Sequence, residues 1–214
     1  MSVNIYQIHI KTDKMKEVEA FLVNWLEVTY SSEPITHSNQ NSHFSFFNSE
    51  IPSHFALSKM HDNWITILHD SYTQLMDLTS KLSSTFNTLV IHALGQSTVD
   101  TYNLMVFQSG KLVRKIDYGE GYFGIEQYGE PLSFEKGPIG TKVVLEEQEE
   151  SYYFDYIEMR EYCLHFNIDI LIDPSEKDGM WEVIQIQHPP PPRKNSYYLP
   201  YLEKFFHRRK NNRK

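Results

Sequence analysis

The order of apolar patterns along the first hundred residues constrains the fold more than any other feature of the chain. Apolar residues alternate within Val3–Ile10, as in a strand, whereas from Met15 to Val28 they recur at helical spacing. The predicted elements are, in order, the strand Val3–Ile10, a helix over about 13–29, the strands Phe55–Met60 and Trp64–His69, a second helix capped by Asp70 or Ser71, and the strand Thr88–Leu94.

This βαββαβ succession over residues 3–95 resembles the ferredoxin-like sandwich, which implies two helices on one face of an antiparallel sheet. Thr101–Phe107 and Lys111–Tyr118 flank Gln108-Ser109-Gly110 and are expected to add a hairpin. The stretch Trp64–Tyr118 has a Trp-led strand, a helix rich in Leu and Ser, and an aromatic hairpin that turns on glycine. It also resembles uncharacterised bacterial proteins, a resemblance that implies no activity.

The predicted fold class is α+β, with an antiparallel sheet, a ferredoxin-like core, the added hairpin and a smaller C-terminal extension. We expect three regions: a ferredoxin-like domain over 1–118, an α+β extension over 119–188 packed on it, and a proline-rich spacer with a basic tail over 189–214. The extension is expected to contain a strand at Lys142–Leu145, a helix from Glu146 to about Phe166, and strands at Ile168–Ile172 and Met180–Ile186. Residues 31–53 are predicted to form a long connection, with a short strand near His43–Phe47.

Charge divides the chain into an acidic body and a basic tail. The chain has 20 Lys+Arg and 28 Asp+Glu, a net charge of -8, yet from Arg193 onward it has eight basic residues and one acidic residue. An acidic body repels phosphate, which argues against a general nucleic-acid binder and is compatible with a basic protein partner. The predicted partner-binding part of the tail comprises Phe205, Phe206, Arg208, Arg209 and Lys210. The tail could be solvated, dock on the acidic body or contact phosphate.

The compartment expected for this chain is the cytoplasm. Cys163 is its only cysteine, which excludes an internal disulfide and a zinc site built from cysteines. No apolar run approaches the roughly 20 residues of a membrane-spanning helix, and Met1–Lys11 lacks the features of a signal peptide. Exposed sheet edges or faces make a homodimer a reasonable expectation.

Three motifs invite a chemical reading that the residues around them do not favour. Residues 119–124 match GxGxxG, but Gln127–Pro131 cannot continue as a helix, so a glycine-rich turn is predicted. The ten histidines show neither HExxH nor HxH spacing and are expected to be hydrogen-bonded or exposed, without a metal. Cys163 lies inside a predicted helix and is expected to be inert. We therefore predict no catalytic residues and no cofactor.

The predicted function is that of a non-catalytic interaction protein, of which an acidic antitoxin or immunity-type partner of a basic protein is one form. Such a complex would weaken steeply with salt. The alternative is an enzyme or small-ligand binder with a pocket between the sheet and the loop at 31–53. Trp64, His69, Asp100 and Tyr102 are the candidate residues for lining that pocket.

Overall fold

The computed structural model describes residues 3–31, 33–41, 49–119, 124–144, 150–171 and 180–187. The helices are α1 (Met15–Thr29), α2 (Met76–Thr85) and α3 (Tyr156–Leu164). The strands are β1 (Asn4–Lys11), β2 (Ile35–Asn41), β3 (His54–His61), β4 (Trp64–His69), β5 (Leu89–Gln96), β6 (Thr101–Gln108), β7 (Lys111–Tyr118), β8 (Glu126–Tyr128), β9 (Thr141–Val144), β10 (Glu150–Tyr153) and β11 (Met180–Ile186). None of the helices in these ranges combines the length and apolarity needed to cross a membrane.

One sheet of nine strands, in the order β2-β11-β3-β4-β1-β5-β6-β7-β8, forms the centre of the molecule. All of its neighbouring strands pair antiparallel, which confirms the α+β class with an antiparallel sheet. β1 pairs with both β4 and β5, so the two strands predicted at residues 3–10 and 88–94 lie side by side. With β11 and β2 beyond β3, and β6 to β8 beyond β5, the whole sheet is not that of a clear ferredoxin fold.

Helices α1 and α2 cover one face of this sheet. Val18, Leu22 and Leu26 recur every four residues on α1 and are completely buried, as the helical spacing in the sequence predicts. They pack in one cluster with Leu78 and Leu82 of α2 and with alternate residues of the central strands. Burial of a side chain of this size stabilises the fold by about 1.5–3 kcal/mol, so this cluster accounts for much of the stability.

Helix α3 packs on the opposite face of the sheet. Ile8 and Ile10 of β1 belong to the cluster under α1 and α2, whereas Val3 and Ile5 belong to the cluster that contains Met159 and Cys163 of α3. Successive side chains of a strand point to opposite faces, which separates the two clusters. β1 is therefore covered on both sides.

Several predicted boundaries are wrong. The stretch expected to be a long connection contains β2, which forms a sheet edge beside β11. The helix expected from Glu146 begins only at Tyr156, because Glu150–Tyr153 pairs with β9 instead. Residues 168–171 form no strand. The strand expected near His43–Phe47, the prolines 189–192 and the whole tail fall outside the described residues.

The start of the second helix is also wrong, for a reason visible in the contacts. α2 begins at Met76 with Leu75 as its N-cap, so neither Asp70 nor Ser71 caps it. The Asp70 carboxylate instead accepts hydrogen bonds from the backbone N–H and the hydroxyl of Ser53, and Ser71 donates to the carbonyl of Glu50. Asp70 and Ser71 thus hold the segment before β3. The boundaries of the three regions predicted from the sequence stay a prediction.

Gln7 of β1 is a buried amide that holds the segment after α3 on the sheet. Its Nε2 donates to the carbonyl oxygen of Leu171, and its Oε1 accepts from the backbone N–H of Leu171 at 3.1 Å. Both residues are almost inaccessible to water. The side chain therefore satisfies two backbone groups that would otherwise be buried without partners.

We expect Gln7→Leu to lower the free energy of unfolding by about 2–4 kcal/mol, because it leaves the N–H and C=O of Leu171 unpaired at about 1–3 kcal/mol each. Urea unfolding monitored by tryptophan fluorescence measures the change. Gln108→Leu, on an exposed position of β6, is the matched control and should change it by about 0.5 kcal/mol or less. Equal effects of the two substitutions would contradict this role of Gln7.

Candidate functional site

The four residues proposed for a pocket do not surround one space. Trp64 pairs with Lys11 near the end of β1, whereas Tyr102 pairs with Gly95, which in turn pairs with Ile5 near its beginning. Trp64 and Tyr102 share the α3 face, at opposite ends of the sheet. His69 lies on the other face, where its ring contacts His92. Whether these four residues bind a ligand stays a prediction, and the loop side of that pocket falls partly outside the described residues.

Asp100 and Tyr102 lie at the same end of the sheet, among tyrosines. Asp100 adopts a positive φ of 46° in the turn after β5, and its carboxylate accepts a hydrogen bond of 3.0 Å from the Tyr153 hydroxyl. Tyr118 packs edge-on against Tyr153, with ring centroids 5.1 Å apart. Burial, reinforced by nearby acidic groups such as Asp100, raises the pKa of Tyr102 to about 12. These phenols are neutral at physiological pH and act as packing groups.

An open concave space lies between α3 and the loop before β9. It is a cavity of about 230 Å³. Aromatic side chains and carboxylates line it together, and the lining residues are Phe134 to Thr141, Phe154, Glu158, Glu161, Tyr162 and His165. We call this space the α3 cavity.

Glu135, one of the lining residues of the α3 cavity, forms a buried ion pair with Arg114 of β7. The guanidinium donates to both carboxylate oxygens, with its Nη2 2.7 Å from Oε2, and the two side chains are 2% and 4% exposed. Its remaining nitrogen, Nη1, donates to the carbonyl oxygens of both Tyr128 and Gly129. One arginine therefore connects the sheet to the beginning of the bordering loop, at Gly129, and to its middle, at Glu135.

The same carboxylate also holds helix α3. Tyr162 donates its hydroxyl to Oε1 of Glu135, and the backbone N–H of Leu132 donates to the same oxygen at 3.0 Å. Burial opposes ionisation of Glu135, but the hydrogen bonds from Arg114 and Tyr162 outweigh it and hold its pKa below the usual value. Glu135 is thus fully engaged and is a structural member of the cavity wall.

The first turn of α3 places the carboxylate of Glu158 at the cavity. Asp155 is the N-cap, with Oδ1 2.6 Å from the backbone nitrogen of Ile157, and Glu158 accepts from the backbone N–H of Asp155, which completes a capping box. Thr141 of β9 donates its hydroxyl to Glu158. Burial, together with the neighbouring Glu158 carboxylate, raises the pKa of Asp155 to about 6.

An aromatic group forms the second wall. The rings of Phe134 and His165 stack with centroids 4.3 Å apart, and Tyr162 meets Phe134 edge-on. Glu161, exposed on α3, forms no ion pair within the described ranges. An aromatic surface beside the exposed carboxylate of Glu161 suits a cationic group with an apolar stem, because rings and a carboxylate both attract positive charge.

The part of the sequence that contains the lining residues of the α3 cavity carries most of the acidic excess. Residues 124–171 contain eleven acidic and three basic residues, a net charge as large as that of the whole chain. Exposed apolar side chains are also frequent here, namely Tyr128, Val143, Val144, Ile157 and Leu164. Charge and apolar exposure thus occur together on one part of the sequence, which is typical of an interaction surface.

Three histidines are completely buried in the central strands, which the sequence analysis did not foresee. His69 and His92 stack with Nε2 atoms 3.2 Å apart, and His9 on the other face of β1 contacts the hydroxyl of Thr66. Burial lowers the pKa of His9 and of His92 to about 3, and that of His69 well below its usual value. Each of them lies within an apolar strand segment, and that placement was the available signal.

The sequence also singled out a cysteine, a pair of histidines and a glycine-rich motif. Cys163 is fully buried, and burial raises the pKa of its thiol to about 12. His61 and His69 lie on opposite faces of the sheet. His61 lies near His9, whereas His69 contacts His92 on the other face. The described ranges contain no group of three or more His, Cys, Asp or Glu placed to hold a metal ion. Residues 120–123 of the glycine motif lie outside those ranges.

Comparison with known proteins gives no relative. No protein-family model, no curated protein and no solved structure matches this chain significantly.

Removing the charge of Glu135 should destabilise the protein strongly. In Glu135→Gln the guanidinium of Arg114 stays buried without a counter-charge, so we expect the free energy of unfolding to fall by about 3–5 kcal/mol in urea denaturation. Asp77→Asn, which removes the exposed ion pair with Lys81 on α2, is the control, with an expected loss of about 0.5 kcal/mol or less. A loss for Glu135→Gln no larger than that of the control would show that the buried pair is dispensable.

The raised pKa of Asp155 gives a signed pH dependence. Because the folded state holds this proton more tightly than the unfolded state, its contribution is complete below about pH 4 and is lost as the pH rises through about 6. Asp155→Asn keeps a side chain that can cap the helix but that does not titrate. The stability of the wild type relative to Asp155→Asn should therefore fall between pH 4 and pH 7, measured by urea unfolding. A difference that rises or stays constant would contradict the shifted pKa.

Proposed function

We propose that the protein is a non-catalytic binding protein that takes a basic protein partner on the acidic surface around the α3 cavity. An acidic antitoxin or immunity-type protein that covers a basic partner is the concrete form of this proposal. The observation that carries it is a cavity with aromatic and carboxylate walls in the most acidic part of the chain. A lysine or arginine side chain of the partner would enter this cavity.

The contacts within the cavity indicate that its glutamates have different roles. Glu135 is neutralised by Arg114, so it adds little attraction for a ligand. Glu158 is held in position by the capping box and by Thr141, whereas Glu161 is exposed at the rim. Glu158 and Glu161 are therefore the residues we assign to the cationic head, and the Phe134 ring to its aliphatic stem.

The size of the cavity favours a single side chain over a large ligand. Pockets for drug-sized molecules span about 300–1,000 Å³, and this cavity of about 230 Å³ lies below that range. The exposed apolar residues in the same stretch of sequence would add contact area to a protein interface. The alternative function, binding of a small ligand, would at this cavity mean binding of a small cation. Only the cavity itself favours this alternative.

The ferredoxin-like core and the cytoplasmic location are proposals as well. We infer that Asn4–Gln96 is a ferredoxin-like core to which the other strands are added, since α1 and α2 pack on one face of its four central strands. The net negative charge and single cysteine support a cytoplasmic protein. A homodimer, and a contact with nucleic acid confined to the basic tail, remain further proposals.

Binding of a basic peptide tests the proposed site. An octa-arginine peptide, titrated by calorimetry against the full chain, should bind with an affinity that weakens steeply with salt. The double variant Glu158→Gln/Glu161→Gln should lower this affinity about tenfold, and glutamine at 158 still completes the capping box. Glu17→Gln/Glu27→Gln on α1 changes the net charge equally and should lower it less than about twofold.

The outcomes separate the alternatives. Equal losses in both double variants would overturn the site, because the peptide would then sense only the net charge. Butylguanidinium serves as the small-cation probe in a parallel titration. If it binds as tightly as the peptide and loses affinity in the same variant, the protein is a small-cation binder and the proposal of a protein partner fails.

A further inference from the structure

The hydrogen bonds of His69 and His92 assign one arrangement of protons to this buried pair. The backbone N–H of Ser71 donates to Nδ1 of His69 at 3.3 Å, so that nitrogen carries no proton. The single proton of a neutral imidazole therefore sits on Nε2 of His69. This N–H donates to Nε2 of His92, and His92 consequently carries its own proton on Nδ1.

Neither ring can gain a second proton without losing a hydrogen bond. The two nitrogens that remain basic are Nδ1 of His69 and Nε2 of His92, and each already accepts a hydrogen bond. A proton on the first would face the N–H of Ser71, and a proton on the second would face the N–H of His69. Both side chains are completely buried, so water cannot solvate the new charge.

The titratable groups near the pair are engaged in other contacts. They include Tyr6 of β1, whose ring lies beside that of His69, Asp70, which follows His69 in the chain, and Asp117 with Lys115 of β7. The Tyr6 hydroxyl accepts from Gln96, the Asp70 carboxylate accepts from Ser53, and the Asp117 carboxylate accepts from Asn103 and pairs with Lys115. The buried residues of α1 and α2 are uncharged, and His9 across the sheet would add a like charge if protonated.

The pair is connected to a segment that holds other parts of the fold. Directly after His69, the backbone carbonyl of Asp70 accepts from the N–H of Ser49, and the Ser71 hydroxyl donates to the carbonyl of Glu50. The same segment leads into α2 at Met76. Loss of the hydrogen bond between Ser71 and His69 would therefore loosen residues 70–75 together with the chain at 49–53.

We propose that His69 and His92 form a proton-operated latch, which holds residues 70–75 on the sheet at neutral pH and releases them in acid. The closed state excludes protons, whereas the open state exposes imidazoles with an ordinary pKa of about 6.5. Below that pH each exposed histidine favours opening about tenfold per pH unit, so two histidines favour it about a hundredfold.

Backbone hydrogen exchange tests the latch in the full chain. The opening constant of residues 70–75, corrected for the intrinsic exchange rate, should rise about a hundredfold per pH unit between pH 6 and pH 4.5. His69→Gln keeps one acceptor and one donor but cannot be protonated, so its rise should be about tenfold per unit. His37→Gln, at an exposed position on the edge strand β2, is the control and should behave as the wild type. An unchanged slope in His69→Gln would overturn the latch.

A second measurement does not depend on any variant. Nitrogen NMR of the wild type at pH 7 should show the proton of His69 on Nε2 and that of His92 on Nδ1, with neither ring protonated down to about pH 5. The opposite tautomers, or protonation of either ring near pH 6.5 in the folded protein, would equally overturn the proposal.

Discussion

Six consecutive residues of β1, from Ile5 to Ile10, are buried, and this constraint shapes the rest of the molecule. On a strand covered on both faces, each polar side chain that lacks a hydrogen-bond partner costs about 1–3 kcal/mol. Gln7 therefore binds the backbone of Leu171 on one face, and Tyr6 accepts from Gln96 on the other. The strands on either side of β1 contain a similar pair, because His69 of β4 and His92 of β5 form a hydrogen bond with each other across β1.

The second organising contact is the ion pair of Arg114 and Glu135. A buried pair of this kind contributes less net stability than its geometry suggests, because both charges lose their hydration. Its effect here is to specify a position: the guanidinium binds the loop carbonyls while the carboxylate binds Tyr162. The α3 cavity exists because these bonds hold the loop before β9 at a fixed place beside the helix.

Local patterns in the sequence predicted the parts of the fold that depend on neighbours along the chain. The alternation at 3–10, the helical spacing at 15–28 and the hairpin on Gly110 all appear in the structure close to the predicted bounds. The predictions failed where a distant partner decided the outcome. Glu150–Tyr153 pairs with β9 rather than starting a helix, and β2 forms only because β11 lies beside it. The α3 cavity was not foreseen either, because its walls come together from separate segments.

By itself the sequence determined the α+β class, the first helix, the presence of a second helix and the acidity of the extension, because periodicity and composition act over short distances along the chain. Only the tertiary structure decided which polar residues share a buried environment. His69 and His92 are 23 residues apart, and Arg114 and Glu135 are 21 apart. Such pairs meet because strand order and helix packing place them together, and those depend on contacts between residues far apart in the chain.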